Sequence, residues 1–554
     1  MPGKGPRLVT LGGTAVAALG AMPGMDAVGQ LARLKLKVKF IPAQKEAEKA
    51  LTAAAEREGL PRDEIEELAV PSYGMEEVGR RREVLGESVA DLIVEGQDAT
   101  LRWSKLADGK PIRSAPAAAK KDHADEVKEL QAAVKDIGAM LAAQRDRIDG
   151  FFLDQRRWPL DAWRARYLDH PLIGVIARRL IWTFETDGTT ADAIWRDGHL
   201  VGPDDVPLAG LNAATAVAPW HPIGRPVEEI VGWRDWLDRH QVRQPFKQAH
   251  REVYVLTDAE RATGVYSNRF AAHILRQHQY HALAAARGWR NQLRMSVDTS
   301  YPATSKDLPG WGLRAEFWVG GIAGGYPEFA TESGVFLHLT TDQVRFFESG
   351  SPPWQAGPSG GSYGPVRDQV VATPVPLDQV PPLVLSEILR DVDLFVGVTS
   401  VGNDPNWNGG GPDGRYVRYW ADYNFGDLGA NGQTRKGVLE RLIPRLKIAP
   451  RCSFGDRFLT VRGDLRTYKI HLGSGNILME PNDQYLCIVA GQAAGNSPTT
   501  RDVFLPFEGD QTLSLILSKA LLLADDAKIK DPTILSQIRS RGDRRAGAIP
   551  EDGK

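Results

Sequence analysis

A lysine and a histidine two residues apart, followed by a glycine-rich turn, form the densest chemical signal in the chain: Lys469 and His471 precede Gly473, Ser474, Gly475 and Asn476. On an extended strand Lys469 and His471 fall on one face. A turn built of glycines lets backbone N–H groups close on an anion, and a nearby lysine adds charge. The chemistry on offer is capture of a phosphate or carboxylate. The other reading is a plain hairpin turn, because the spacing is neither that of a Walker-type phosphate loop nor that of a dinucleotide-binding turn. A kinase-like use of His471 and Asn476 is excluded, since no Asp stands between them to act as base.

A second group lies upstream: Glu387, Arg390, Asp391 and Asp393, then Asn403, Asp404 and Trp407. Glu387 and Asp391 are four apart and share a helix face, a spacing that suits a hard cation such as Mg²⁺ or general acid–base work. Residues of these types also serve as helix caps and surface ion pairs. If the two groups meet in space, carboxylates facing a basic, glycine-lined pocket make a nucleotide or phosphoester site. No other cofactor signature is present. His278 and His281 are three apart and, on a helix, reach a common metal, with His273 about 140° round from His278. No Asp, Glu or Cys completes that set, so a polar helix face is the simpler reading. Residues 156–182 interleave Arg156, Arg157, Arg164, Arg166, Arg178 and Arg179 with Trp158, Trp163 and Trp182. Cations for phosphates and rings for stacking would serve nucleic acid; acidic residues among them equally predict an ion-paired face over a tryptophan core.

The elements that must position these side chains are legible from period and turn chemistry. Residues 452–489 carry apolar-alternating runs at 458–461, 467–472, 476–479 and 485–489, broken by Gly463-Asp464, by the Gly473 turn and by Pro481-Asn482-Asp483. That pattern predicts a β-meander. Helices are expected over 382–398, 415–423, 433–446 and 511–524, the second with Tyr416, Tyr419, Trp420 and Tyr423 as a core stripe. Upstream, helices are expected near 14–19, 27–39, 44–58 and 64–69, strands between 84 and 112, and a long helix over 122–152. Strands at 335–339 and 343–347 flank Thr341-Asp342, read as a turn. The Gly/Pro/Ser-rich stretch 349–376 reads as a linker or long loop.

At 554 residues the chain exceeds one hydrophobic core, and 68 Lys+Arg against 70 Asp+Glu leave no global pull toward nucleic acid or membrane. Two cysteines, Cys452 and Cys487, build no disulfide framework and read as buried thiols on strands in a reducing compartment. The apolar run LVTLGGTAVAALGAM after Lys4 and Arg7 imitates a secretory signal, but a charged helix follows it, so the expected location is the cytoplasm.

Five blocks carry a resemblance: LPRDEIEELAVPSYG (60–74), HPLIGVIARRLIW (170–182), QPFKQAHREVYVLT (244–257), SEILRDVDLFVGVTSVGNDPNW (386–407) and LSKALLLADDAKIKDPTI (517–534). On these the chain resembles the bacterial domain-of-unknown-function 4132 family, some members of which are labelled molybdate-metabolism-regulator-like, together with an uncharacterised C-terminal companion domain. The resemblance implies a preceding HEAT-type helical array, of which 1–75 would be the end, and association with WGR domains; it implies no reaction.

The expected fold is α+β and multidomain: a helical-repeat remnant (1–75), a mixed α/β middle domain (76–348), a linker (349–376), a C-terminal domain with an antiparallel meander flanked by helices (377–540) and a disordered tail (541–554). The expected function is a regulatory or interaction module that binds a protein or a small anionic ligand. The alternatives are a Mg²⁺-dependent nucleotide or phosphoester enzyme, with Lys469 and His471 on phosphate and Glu387, Asp391 or Asp404 on the metal, and a nucleic-acid binder acting through 156–182.

Overall fold

The computed structural model describes residues 9–24, 27–28, 30–31, 34, 41–59, 62–68, 70–296, 300–322, 329–357, 363–365, 371–411, 414–488 and 503–539. The chain is α+β, and every strand ladder between its named strands is antiparallel. It divides into two compact units, one of residues 1–221, 225–249 and 506–508, the other of residues 222–224, 250–505 and 509–554.

The first unit opens with helices α1 (Val9–Ala21), α2 (Ile41–Glu58) and α3 (Arg62–Leu68). Ala47, Ala50, Leu51 and Ala54 lie on one stripe of α2 and bury against Val16 and Ile65, so the signal-like run is a packed helix. The helix expected over 27–39 and the tail 541–554 lie largely or wholly outside the described residues. Strands β1 (Arg80–Leu85), β2 (Ser88–Glu95), β3 (Asp98–Lys105) and β4 (Pro111–Ile112) form a meander. The 31-residue helix α4 (Ala124–Asp154) covers it with Val127, Leu130, Ala133, Ile137, Leu141 and Ile148, a 3.6-residue stripe. Each fully buried Val, Leu or Ile side chain of the stripe contributes about 1.5–3 kcal/mol. Gln155, at φ 51°, ends the helix in the left-handed region. A second sheet, in the order β5 (Trp158–Pro159), β9 (Ala216–Pro219), β6 (Ile181–Thr186), β7 (Thr189–Arg196), β8 (His199–Val201), buries Trp158, Trp163 and Trp182 edge-to-face. Helix α5 (Val227–Arg239) adds Trp233 and Trp236 to a neighbouring cluster.

Among the described residues the second unit holds three sheets, the smallest a two-stranded pairing of Tyr301–Pro302 with Gln355–Ala356. One runs in the order β10 (Ile274–Arg276), β13 (His338–Glu348), β12 (Leu313–Gly321), β11 (Thr304–Leu308), with helix α6 (Gln277–Ala286) following β10. Thr341-Asp342 is not a turn: it lies inside the eleven-residue β13, where Thr341 pairs with Val319 across a register shift between Phe317 and Val319. The bulge absorbs the local turn chemistry, and pairing with a fully buried central strand overrides it. The described residues of the 349–376 stretch lie within this unit, where Val375 N–H donates to Phe346 O and Trp354 Nε1 donates to Ala372 O. Helices α7 (Pro382–Thr399), α8 (Val417–Phe425) and α9 (Ala430–Leu442) lead into the meander β14 (Cys452–Phe454), β15 (Phe458–Arg462), β16 (Thr467–His471), β17 (Ile477–Met479), β18 (Gln484–Leu486), paired in chain order. Helices α10 (Gln511–Ala524) and α11 (Pro532–Arg539) follow. The meander matches the expected runs, with β14 as an additional first strand. Both cysteines are free and half-buried rather than buried, and Cys487 lies just past β18. Among the described residues no helix is long and apolar enough to cross a membrane.

Candidate functional site

His471 ends β16 with 2% of its surface exposed. Its Nε2 lies 2.9 Å from the Gly426 carbonyl oxygen, and a carbonyl only accepts, so Nε2 carries the proton. Nδ1 accepts from the Ser474 N–H at 3.1 Å. Burial, reinforced by the Arg457 and Arg435 charges, pushes the imidazole pKa down to about 4, so the ring is neutral at pH 7. The rest of the turn is equally engaged. Gly475 N–H donates to His471 O at 2.8 Å and Asn476 N–H to Ser474 Oγ at 3.2 Å. Ser474 Oγ donates to Asn424 O, Asn476 Nδ2 donates to Asn424 Oδ1, and the Gly473 carbonyl accepts from Arg435. Three N–H groups of the turn therefore point at the protein itself, and the turn is a fastener between β16 and α8. Lys469 pairs with Asp483 at 2.5 Å and lies over the Phe458 ring, apart from the hydrogen bonds of His471.

The carboxylates on α7 are matched in the same way. Glu387, 3% exposed, receives Arg251 Nε and Nη2 at 2.7 and 2.5 Å. Asp391 receives Arg287 at 2.8 Å, Trp289 Nε1 at 2.9 Å and Lys306 at 3.0 Å. Burial opposes its charge, but Lys306 and Arg287 overcome that and hold the carboxyl below its usual range. Arg390 pairs with Glu252, and Asp393 accepts from Tyr254 and Asn431. Asp404 caps the turn Pro405–Trp407 and pairs with Arg276 at 2.6 Å; Asn403 Nδ2 donates to the Gly397 carbonyl. The two groups do share a neighbour: α8 sends Tyr423 to Asn403, and its Asn424 reaches Ser474 and Asn476. They meet as a bonded network, with each candidate side chain matched by a protein group.

His273 lies outside α6, ahead of β10, so the expected common helix breaks. His278 is exposed and His281 Nδ1 faces Asn291. Among the described residues no three His, Cys, Asp or Glu side chains gather to hold a metal. In 156–182, Glu67 takes Arg156 and Arg166, Asp169 takes Arg164 and Arg178, Glu185 takes Arg157, and Glu508 takes Arg179. Trp158, Trp163 and Trp182 are buried.

Two features escape sequence reasoning. The first is an anion nest at a different turn. Asp464 and Arg466 N–H each reach the Asp526 carboxylate, at 2.7 and 3.1 Å, Leu465 N–H reaches both of its oxygens, and Tyr468 Oη donates to it at 2.8 Å. The second is an open groove of about 650 Å³ lined by Gly463, Leu465, Arg466, Thr467, Glu480, Pro481, Ile538 and Arg539. None of the expected site residues lines it. Arg539 is exposed and has no charged partner among the described residues, whereas Arg466 is tied to the Ile538 carbonyl at 2.6 Å. The groove joins the β15–β16 turn to the end of α11, more than seventy residues on, so no local pattern announces it.

Residues 109–289 match the family described as Domain of unknown function (DUF4132), and residues 432–538 match Domain of unknown function (DUF7737). Uncharacterized protein YehI of Escherichia coli (strain K12) is 22% identical over 247 residues, which is 42% of this chain and 20% of that protein. The chain therefore spans about a fifth of the length of the curated relative it matches. No solved structure matches.

Proposed function

We propose that the chain is a non-catalytic binding module of the cytoplasm with a regulatory role, and that the groove beside the β15–β16 turn receives an acidic protein segment or a small anionic ligand. One observation carries this reading: Arg539 stands exposed on the lining of the open groove, with no charged partner among the described residues, beside Arg466 and the half-exposed Leu465, and Glu480 is the one acidic side chain on that lining. Cations beside apolar surface suit an acidic segment that carries an apolar anchor. Such an interaction is steered by charge and weakened by salt.

The test is fluorescence anisotropy with a labelled peptide of alternating Glu and Leu, with inorganic phosphate as competitor. Arg539→Glu is expected to weaken peptide binding about tenfold, near 1.4 kcal/mol. Equal binding by the variant would remove the groove from consideration. The enzyme alternative requires Glu387, Asp391 and Asp404 to release Arg251, Arg287, Lys306 and Arg276 before they could hold Mg²⁺. It would be favoured by a Mg²⁺-dependent nucleotide shift in melting temperature that Lys469→Ala abolishes. Nucleic-acid binding through 156–182 would require arginines to leave their carboxylates, and would show as a steep salt slope.

A further inference from the structure

Among the described residues three arginines are buried: Arg251, Arg294 and Arg314. Arg251 is matched by Glu387, and Arg314 by Glu316 at 3.0 Å. Arg294, with none of its surface exposed, has no carboxylate partner among the described residues. Its Nη1 donates to the Gln292 carbonyl at 2.6 Å and to Asn291 Oδ1 at 3.5 Å; its Nη2 donates to the Pro302 carbonyl at 3.1 Å and to Tyr363 Oη at 3.3 Å. Its face lies over the Tyr301 ring at 5.3 Å. All of these partners are neutral, and Nε has none.

An arginine cannot escape burial by losing its proton. Lys519 shows the other route: buried, and donating only to the Gly475 carbonyl at 2.7 Å, it is driven by burial down to about 8. Arg294 has no such option, and an unmatched buried ion costs more than neutral hydrogen bonds return. The Tyr280 hydroxyl, also fully buried, feels the charge of Arg294 and lies beside Thr304, whose Oγ1 donates to Asn291 Oδ1 at 2.8 Å, the oxygen that also accepts from Arg294. A buried cation with an unsatisfied Nε and no counter-charge among the described residues describes half of an ion pair.

We propose that Arg294 holds a small monovalent anion, a halide or the carboxylate of a small acid, which accepts from its Nε inside the second unit. The site is independent of the groove, whose lining includes neither Arg294 nor its partners.

The experiment is thermal unfolding of the full chain at fixed ionic strength, with gluconate replaced stepwise by chloride in one arm and by acetate in the other. A saturating rise of about 2–4 °C is expected in at least one arm; which arm responds identifies a halide or a carboxylate. Arg294→Met removes the response. Because Arg294→Met could fail to fold, bromide-soaked crystals of the wild-type chain give a second reading: an anomalous peak within hydrogen-bond reach of Nε supports the site. A melting temperature set by ionic strength alone, or no peak at Arg294, overturns it.

Discussion

Asp526 fills the Gly463 turn as a bound anion fills a phosphate loop, with three backbone N–H groups and the Tyr468 hydroxyl converging on one carboxylate. A Cβ on residue 463 would collide with that carboxylate, so glycine is required there by close approach. Gly463→Ala is expected to cost about 2 kcal/mol or more, and Asp526→Ala, which strands the donors in the interior, about 3–5 kcal/mol, both read from urea midpoints. His471 makes a pH prediction with a definite sign. Its folded pKa, about 4, lies below the unfolded value near 6.5, so the stability it contributes is present above pH 6.5 and is lost as pH falls toward 4. The loss is up to about 3 kcal/mol, and a His471→Gln variant should show a flatter profile between pH 7 and pH 4.5. At this scale the sequence identified the residue types but not their partners. Lys469 and His471 do share a strand, yet what decides their chemistry is Asp483, Gly426 and Ser474, and only folding brings Gly426 to the ring.

The meander is the element most plainly written in the sequence, because period-two apolar runs and glycine turns are local signals that tertiary packing here reinforces. Thr341-Asp342 is the opposite case, where a turn dipeptide lies within a strand because Val319 and Phe317 pair across it with a bulge. The groove was illegible for a related reason, since its two sides come from β16 and α11. The outer edge of the meander shows how an exposed strand end is managed. Beyond β18, the Gln537 side chain of α11 donates to the Cys487 carbonyl and accepts from the Cys487 N–H, both at 3.0 Å, so an amide side chain replaces a neighbouring strand. Gln537→Ala is expected to cost about 1 kcal/mol and to speed amide exchange at Cys487 while the interior strands β15 and β16 stay protected, a pattern that hydrogen-exchange mass spectrometry resolves.

Across the whole molecule, the α+β class and the C-terminal meander were legible. Composition reads 349–376 as a linker or a long loop; its described residues bond within the second unit, and the chain passes from one compact unit to the other near residue 250. Gly and Pro content reports what a loop is made of, not which core it borders. Residues 506–508, close to the far end, belong to the first unit, where Gln244 N–H donates to the Pro506 carbonyl and Glu508 pairs with Arg179. The two matched families do not follow these cores: 109–289 begins in the first unit and ends in the second with β10 and α6, and 432–538 contains the three residues that return to the first. A fragment of 109–289 alone would leave β10 without β13, and is expected to be insoluble or unfolded by circular dichroism, whereas the whole chain supplies that partner. The consequence concerns inheritance. Exchanging 109–289 by a single recombination would leave β13 without β10 and Glu387 without Arg251, and exchanging 432–538 would take Glu508 from Arg179 and Pro506 from Gln244, both of which lie in 109–289, so the two should be found side by side in genomes and be gained or lost together.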